Sequence, residues 1–352
     1  MSIIPSKPMA PRENEADAHG PSGARSVNTC AMSKEPTARR PSVSFRSMAA
    51  RWSPTVESLC PLRGDMDKVR DALLVAAGIG TRMFPVSASV PKESLPLLDV
   101  PLLTHLILEA KHAGVERLHI ITSPSKSFDV LLDDRRHLHA HRPHLDADFF
   151  HATAGVEVLI HVQKEPKGVG NAMEAAFHAV DGPFLVMLGD NLLMDEHAST
   201  EAYTPSNVSR RLVDAYHRFS QPTVGLMEVD AASVHHYGIV GMEGDRIVSM
   251  VEKPTIERAP SRLAMCGRYV FPVEMKELLQ TCTYEQYGDL QSIEALSRYI
   301  ASDRLHGLVL DETQWYDSGA PLMWLKAQVD HALRRPDVQD EFLMWLTNRL
   351  GR

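Results

Sequence analysis

The chain has 352 residues, of which 44% are hydrophobic and 23% are charged, a balance typical of a folded globular protein. No run approaches the roughly 18 consecutive apolar residues of a membrane-spanning helix, so the sequence predicts no membrane partner. The formal charge of −8 comes without a basic stripe, which argues against nucleic acid as a partner. Four cysteines in neither a C-x-x-C pair nor a metal-binding spacing favour a cytoplasmic location.

The first 65 residues differ in composition from the rest of the chain. They carry nine Lys and Arg against six Asp and Glu, and they are rich in Pro and Ser. Such a segment buries little apolar area, so we expect residues 1–65 to form a disordered leader. Two other interpretations stay open, namely an Arg- and Ser-rich transit peptide, or translation that begins at Met66.

From about Asp71 onward, strand patterns alternate with helical ones. Short apolar runs predict four buried strands, over residues 72–77, 118–122, 156–162 and 184–188. Helical periodicity follows Pro101 and recurs over residues 170–180. This order predicts an α/β fold with a doubly wound, mainly parallel sheet, whose ligands bind beyond the carboxyl ends of the strands.

After about Ser220 the predicted strands come closer together, which indicates a small antiparallel extension. Those strands cover residues 223–229, 237–241, 246–251 and 265–271. Helices are predicted around 290–299 and 322–334, and a last amphipathic helix carries an apolar stripe that suits the core or a subunit contact. We therefore expect one domain over residues 66–320, followed by C-terminal helices over 321–352.

The first motif, Gly78–Arg82 (GIGTR), directly follows the first predicted strand. Glycines in such a turn let backbone N–H groups approach a phosphate, and the guanidinium of Arg82 suits forked contacts with phosphate oxygens. A glycine pair alone is about as typical of a structural turn. The third glycine of the dinucleotide fingerprint and the lysine of the P-loop are absent.

A second motif, Pro91–Leu97 (PKESLPL), makes the pattern specific. Together the two motifs resemble the opening of the bacterial UTP–glucose-1-phosphate uridylyltransferases, which belong to the sugar nucleotidylyltransferase superfamily. The thymidylyl enzymes of that superfamily typically have Ser-Lys-Gln where this chain has Pro-Lys-Glu. The resemblance implies a Rossmann-like nucleotidyltransferase fold, a homo-oligomer, and transfer of a uridylyl group from UTP to glucose 1-phosphate.

Gln163 and the segment 167–172 (KGVGNA) extend the resemblance to the nucleotide. A Gln amide offers a donor and an acceptor, so it can match the imide edge of uracil or thymine. Without the neighbouring motifs, a polar Gln at the end of a strand is unremarkable. The resemblance implies a nucleotide site built from Ala77, Gly78, Gly80, Thr81, Gln163 and Gly168.

Two aspartates are candidate metal ligands. Asp190 follows a buried strand, and Asp317 lies far downstream in the segment WYDSG. Mg²⁺ is typically held by one or two carboxylates together with substrate phosphates. An isolated Asp at such a position is more often a helix or turn cap. Since both match the family's contexts, the resemblance implies that Asp190 and Asp317 bind Mg²⁺.

The remaining matches lie on the antiparallel extension, which in the family covers the sugar. They are the segments 237–240 (YGIV) and 251–254 (VEKP), together with Gly267. The resemblance implies a sugar site made of Tyr237, Gly238, Glu252 and Gly267. It also assigns the catalytic roles: Arg82 and Lys92 neutralise the triphosphate, and Lys253 holds the attacking phosphate.

Three other functions are compatible with parts of the sequence. A dTTP-dependent thymidylyltransferase is favoured by Trp315 and disfavoured by the Pro-Lys-Glu segment. A non-catalytic regulator that binds sugar nucleotides is disfavoured by the intact charged residues, and an oxidoreductase by the incomplete glycine fingerprint. The run of alternating histidines over 137–144 stands among arginines that would repel a cation, so we do not predict a metal site there.

Overall fold

The computed structural model describes residues 67–351, so the predicted leader lies outside the described residues. Strands alternate with helices as the sequence predicts. The strands are β1 Asp71–Val75, β2 Pro96–Leu97, β3 Val100–Pro101, β4 Arg117–Thr122, β5 Glu157–Val162, β6 Phe184–Leu188, β7 Asn191–Met194, β8 Thr223–Glu228, β9 Gly238–Glu243, β10 Arg246–Glu252, β11 Leu263–Phe271, β12 His306–Val309 and β13 Gln314–Asp317. The α-helices are α1 Leu102–His112, α2 Asp129–Leu132, α3 Arg136–His139, α4 Gly168–Glu174, α5 Val208–Phe219, α6 Met275–Gln280, α7 Tyr284–Tyr287, α8 Gln291–Ala301, α9 Pro321–Arg334 and α10 Gln339–Leu350.

One large sheet organises the fold, in the strand order β5-β4-β1-β6-β11-β8-β12-β10-β9. All of its strands run in one direction except β11 and β10. This confirms the doubly wound, mainly parallel architecture. The predicted antiparallel strands are present, and they continue this sheet rather than form a separate one. Strand β12, which was not predicted, joins β8 to β10 within it.

The strand order reverses between β1 and β6, because β4 and β5 follow on one side of β1 and β6 lies on the other. At this point the amide of Gly189 donates to the carbonyl of Val75, at 2.8 Å. In open α/β sheets the crevice beyond the carboxyl ends of the strands at such a reversal is the usual ligand site. The fold therefore places the loops after β1 and β6 beside each other at a cleft.

A fully buried ion pair ties the helical layer to the sheet. Arg268 of β11 donates to both carboxylate oxygens of Glu109 on α1, at 2.9 and 2.8 Å, and Ser209 of α5 also donates to Glu109. Arg268 donates further to the backbone carbonyl of Asn191, at 3.0 Å. Buried charges are tolerated when they are paired and hydrogen-bonded in this way. The pair thereby fixes the start of β7, directly after Asp190.

The C-terminal helices have two different surroundings. Helix α9 is attached to the β2–β3 hairpin, since Gln328 donates to the carbonyl of Pro96 and accepts from the amide of Leu98. Helix α10 leaves Leu343, Met344 and Trp345 more than half exposed. Within residues 67–351, no helix combines the length and the apolarity needed to cross a membrane.

Candidate active site

The cleft at the carboxyl ends of β1 and β6 has a volume of about 800 Å³. Most of the residues predicted to act on substrates line it: Arg82, Gly168, Asp190, Tyr237, Gly238, Glu252, Lys253, Gly267 and Asp317. One wall, here called the parallel side, comes from the segments that follow β1, β5 and β6. The opposite wall, the antiparallel side, comes from β9, β10, β11 and β13.

Lys92 and Asp190 form the central charge pair of the parallel side. The Lys92 ammonium donates to Oδ2 of Asp190 at 2.6 Å, and the lysine side chain is almost fully buried. Burial by itself would raise the pKa of Asp190, but the charge and hydrogen bond of Lys92 outweigh it and lower that pKa. Asp190 is therefore held as a carboxylate at the reversal point of the sheet.

Asp317, at the end of β13, brings a second carboxylate from the antiparallel side. Burial raises the pKa of Asp317 and the negative charge of Asp190 raises it further, while a hydrogen bond from the Gly319 amide, at 2.6 Å, opposes both. Two carboxylates that disfavour each other's charge in one cleft form an oxygen donor set that suits a hard divalent cation. Among the described residues, no group of three or more His, Cys, Asp and Glu side chains is placed to hold a metal ion.

Arg82 lies directly against the turn that follows Asp317. A Cβ atom at Gly319 would lie 2.6 Å from Nη2 of Arg82 and 2.7 Å from Oδ1 of Asp317. Such distances are far inside van der Waals contact, so only glycine lets the guanidinium come this close. The loop after β1 and the turn after β13 thus present a cation and a carboxylate to the same space.

A hydrogen-bonded link runs from the carboxylates to the aromatic wall of the antiparallel side. Asn191 donates from Nδ2 to Asp190 at 2.8 Å, and its Oδ1 accepts from the indole N–H of Trp315 at 2.7 Å. The Trp315 ring packs on Tyr237, with ring centroids 4.6 Å apart. The orientation of Asp190 therefore depends on Asn191, to which the sequence analysis assigned no role.

Glu252 and Lys253 lie at the end of β10, on the antiparallel side. Their side chains are 3.4 Å apart, and the Lys253 side chain is 64% exposed. The backbone of Lys253 has a φ of +47°, which is uncommon for a residue other than glycine, and its amide donates to the carbonyl of Tyr237 at 2.9 Å. This bond holds the turn that presents the ammonium to the cleft.

Several predicted nucleotide residues lie beside the cleft and do not line it. They are Ala77, Gly78, Gly80, Thr81 and Gln163, and Lys92 is a further predicted site residue in this position. The Gln163 amide nitrogen donates to the Gly168 carbonyl and to Oδ1 of Asn171, both at 3.0 Å. In this structure Gln163 supports Gly168, and Gly168 faces the cleft.

The structure adds residues that the sequence analysis missed. His235, His236 and Asp289 line the cleft, and Lys126 lies under it, in the loop after β4. For the two histidines a signal was present, since they directly precede the Tyr237 segment. For Lys126 the one signal was its place just after a buried parallel strand.

Comparison with known proteins identifies the class. A family model described as nucleotidyl transferase matches residues 71–332. The chain belongs to this family. It is 32% identical over 297 residues to the UTP–glucose-1-phosphate uridylyltransferase YngB of Bacillus subtilis, a match that covers 81% of this chain and 97% of the relative.

Two solved structures are similar at the level of fold and sequence. A UTP-bound UGPase from Acinetobacter baumannii is 27% identical with a TM-score of 0.67, and the match covers 79% of this chain and 99% of that one. A UDP-glucose pyrophosphorylase complexed with UDP-glucose is 27% identical with a TM-score of 0.65, and the match covers 75% and 98% of the two chains.

Proposed function

We propose that this protein transfers the uridylyl group of UTP to glucose 1-phosphate, which gives UDP-glucose and pyrophosphate. One observation carries the proposal: Arg82, Asp190 and Asp317 line one cleft together with Glu252 and Lys253, and Lys92 pairs with Asp190 beside it. The first group suits a triphosphate, and the second suits a phosphorylated sugar. A relative named for the same activity, and neighbours bound to the substrate UTP or the product UDP-glucose, support this assignment.

In this reaction an oxygen of the sugar phosphate attacks the α-phosphorus of UTP, and pyrophosphate leaves in line. No side chain has to form a covalent bond, so the protein acts by positioning and by charge neutralisation. Arg82 and Lys92 would neutralise the triphosphate and the departing pyrophosphate. Lys253 would hold the attacking phosphate, and Glu252 would accept hydrogen bonds from the sugar hydroxyls.

We further propose that Asp190 and Asp317 hold Mg²⁺. The two residues are neighbours, because Asp317 pairs with Asn191 between β13 and β7 and the Ser318 amide donates to the Asp190 carbonyl at 2.9 Å. The charge of Asp190 disfavours that of Asp317, which a divalent cation would relieve. When bound there, Mg²⁺ would supply positive charge to the phosphates around the reacting phosphorus. Asn191 and Lys92 orient Asp190, and the Gly319 amide orients Asp317. The homo-oligomer and the cytoplasmic location stay predictions.

The test is a pyrophosphate-release screen of the purified full chain. It crosses UTP, dTTP, ATP and GTP with several hexose 1-phosphates, at saturating Mg²⁺ and after chelation. We expect UTP with glucose 1-phosphate to give the highest kcat/KM. A tenfold preference for dTTP, which corresponds to about 1.4 kcal/mol, would assign the chain to thymidylyl transfer instead. Binding of UDP-glucose without turnover would favour the non-catalytic regulator.

A further inference from the structure

A second buried charge pair, between Glu93 and Lys126, lies beneath the parallel side. The Lys126 ammonium donates to both Glu93 oxygens, at 3.1 and 2.8 Å. The side chains are 5% and 1% exposed, so the pair is removed from water. Glu93 directly follows Lys92 in the chain, and neither Glu93 nor Lys126 is among the residues that the motifs predict to bind substrate.

The pair joins the ends of three neighbouring strands. Lys126, in the loop after β4, also donates to the carbonyl of Ala76 after β1, at 2.8 Å. Glu93 packs against Gly189 after β6, where an added Cβ would lie 3.3 Å from the glutamate Cγ. Ala76 directly precedes the predicted nucleotide segment, so the backbone of that segment is anchored to Lys126.

Glu93 depends on Lys126 as its counter-ion, because Lys92 already pairs with Asp190. Burial raises the pKa of Glu93 and lowers the pKa of Lys126, although each attracts the other's charge. Lys92 lies close enough to act on both groups. If Lys126 were absent, the nearest cation to the Glu93 carboxylate would be Lys92, which instead pairs with Asp190.

We propose that Lys126 is a positioning residue for the triphosphate: it neutralises Glu93, anchors the Ala76 carbonyl, and so leaves Lys92 to Asp190 and the phosphates. The proposal rests on the proposed function, because it assigns the nucleotide to the parallel side. It makes Glu93 a structural partner whose charge is not needed for nucleotide binding. Without Lys126, Glu93 would compete with Asp190 for Lys92, and the carbonyl of Ala76 would lose its hydrogen bond.

The experiment compares Lys126→Met, Glu93→Gln and the double variant in the full chain. UTP affinity is measured by calorimetry, turnover by pyrophosphate release, and stability by thermal melting. We expect K126M to weaken UTP binding and raise KM for UTP at least about tenfold, with KM for glucose 1-phosphate changed less than about twofold. E93Q should bind UTP within about threefold of wild type, and the double variant should bind UTP more tightly than K126M.

The order of these affinities separates positioning from stability. Both single variants break a buried ion pair, so both should melt at lower temperature than wild type. Only K126M leaves Glu93 to compete for Lys92 and removes the hydrogen bond to the Ala76 carbonyl, so only K126M should lose UTP affinity. Lys276→Met is the matched control, because the Lys276 ammonium also donates to a backbone carbonyl, that of Val180, at the amino end of β6 and outside the cleft lining. It should bind UTP normally.

Three results would overturn the proposal. The first is unchanged UTP affinity in K126M, and the second is an equal loss of UTP affinity in K126M and E93Q. The third is a double variant that binds UTP no more tightly than K126M. If K126M does not fold, E93Q still decides, because a tenfold loss of UTP affinity there contradicts the proposal and retained affinity supports it. Wild-type protein that neither binds UTP nor releases pyrophosphate would instead reject the proposed function.

Discussion

The two sides of the cleft differ in how their charged side chains are buried and paired. On the parallel side, Lys92, Lys126 and Glu93 are buried, Asp190 is partly buried, and all four are held by direct ion pairs. On the antiparallel side, Lys253 is largely exposed and its one close ion-pair partner in the described chain is Glu252, at 3.4 Å. Buried, hydrogen-bonded charge is rigid and hard to replace, whereas exposed charge contributes little until a ligand desolvates it.

The difference indicates a division of labour. The parallel side is preorganised before substrate arrives, which suits the stabilisation of charge that develops at phosphorus. The antiparallel side completes its contacts around the second substrate. The two carboxylates connect these sides, because Asp190 belongs to one and Asp317 to the other. Variants of each side should therefore have different kinetic signatures.

The largest effect is expected at the two carboxylates. Asp190→Asn and Asp317→Asn keep size and hydrogen-bonding capacity but each removes one ligand charge. We expect each to lower kcat by about 10²–10³-fold, which corresponds to roughly 3–4 kcal/mol of lost transition-state stabilisation. UTP and UDP-glucose should still bind measurably by calorimetry, since the base and sugar contacts remain.

The control for these variants is Asp245→Asn, a substitution of an exposed carboxylate in the turn between β9 and β10. It should leave kcat unchanged. A capping aspartate changed to asparagine costs little, because asparagine caps about as well. Near-normal turnover in both D190N and D317N would thus remove the metal assignment and favour a regulator.

On the antiparallel side, Lys253→Met should mainly affect the sugar phosphate. A hydrogen bond to a charged group contributes about 1.5–3 kcal/mol, so we expect kcat/KM for glucose 1-phosphate to fall about 10–100-fold. UTP affinity should be unchanged, in contrast to the K126M variant of the parallel side. Lys164→Met, a change of an exposed lysine outside the cleft lining, is the control. Equal losses for both substrates in K253M would contradict the division between the two sides.

The contact between the sides is tested at Gly319. An added methyl group would collide with Arg82 and Asp317, and overpacking typically costs about 1–3 kcal/mol. We expect Gly319→Ala to lower kcat/KM by about tenfold. In the Arg82→Ala background the same change should cost much less, because the guanidinium it displaces is gone. An additive double variant would show that the methyl group acts on the turn alone.

The features that could be predicted from the sequence are those encoded by short stretches of neighbouring residues. Arg82, Lys92 and Asp190 stand in short contiguous motifs at strand ends, so a resemblance over a few residues was enough to predict them as site residues. Apolar runs predicted the strands β1 and β6. The Trp315–Asn191 bond joins residues 124 positions apart, and Lys126 reaches Glu93 across 33 positions. Pairings of this kind leave no periodicity in the sequence, and a lone lysine in a loop is indistinguishable from solvated charge.

The order in which strands pair within the large sheet could not be predicted from local patterns either. Alternation of apolar residues predicts that a strand exists, but the neighbour it pairs with is set by crossovers and packing. The strands after Ser220 were therefore predicted one by one, while their insertion into the main sheet beside β6 emerged only from the fold. The attachment of α9 to the β2–β3 hairpin through Gln328, 232 positions from Pro96, had no signal in the sequence either.

The smallest effect concerns acid stability on the parallel side. Buried on β5, His161 lies 3.0 Å from His119 of β4, which in turn bonds to Asp71, and Asp71 also pairs with Arg117. Burial, and then the nearby His119 and His178, lower the pKa of His161 to about 4. The unfolded chain, with an imidazole pKa of about 6.5, takes up the proton more readily than the native state.

The stability that the native state gains by keeping His161 neutral is therefore fully present above about pH 6.5. It is lost as the pH falls toward 4. We expect the free energy of unfolding in denaturant to drop by about 1–2 kcal/mol through His161 between about pH 7.5 and pH 5. His161→Gln should lose less stability over that interval than wild type, whereas His217→Gln, at an exposed position on α5, should match wild type. Hydrogen exchange at pH 5 should increase first in β4 and β5, while β11 of the antiparallel side stays protected. Faster exchange in β11 instead would show that acid acts first on the antiparallel side, and that the buried polar pairs of the parallel side do not make it the more acid-sensitive half of the sheet.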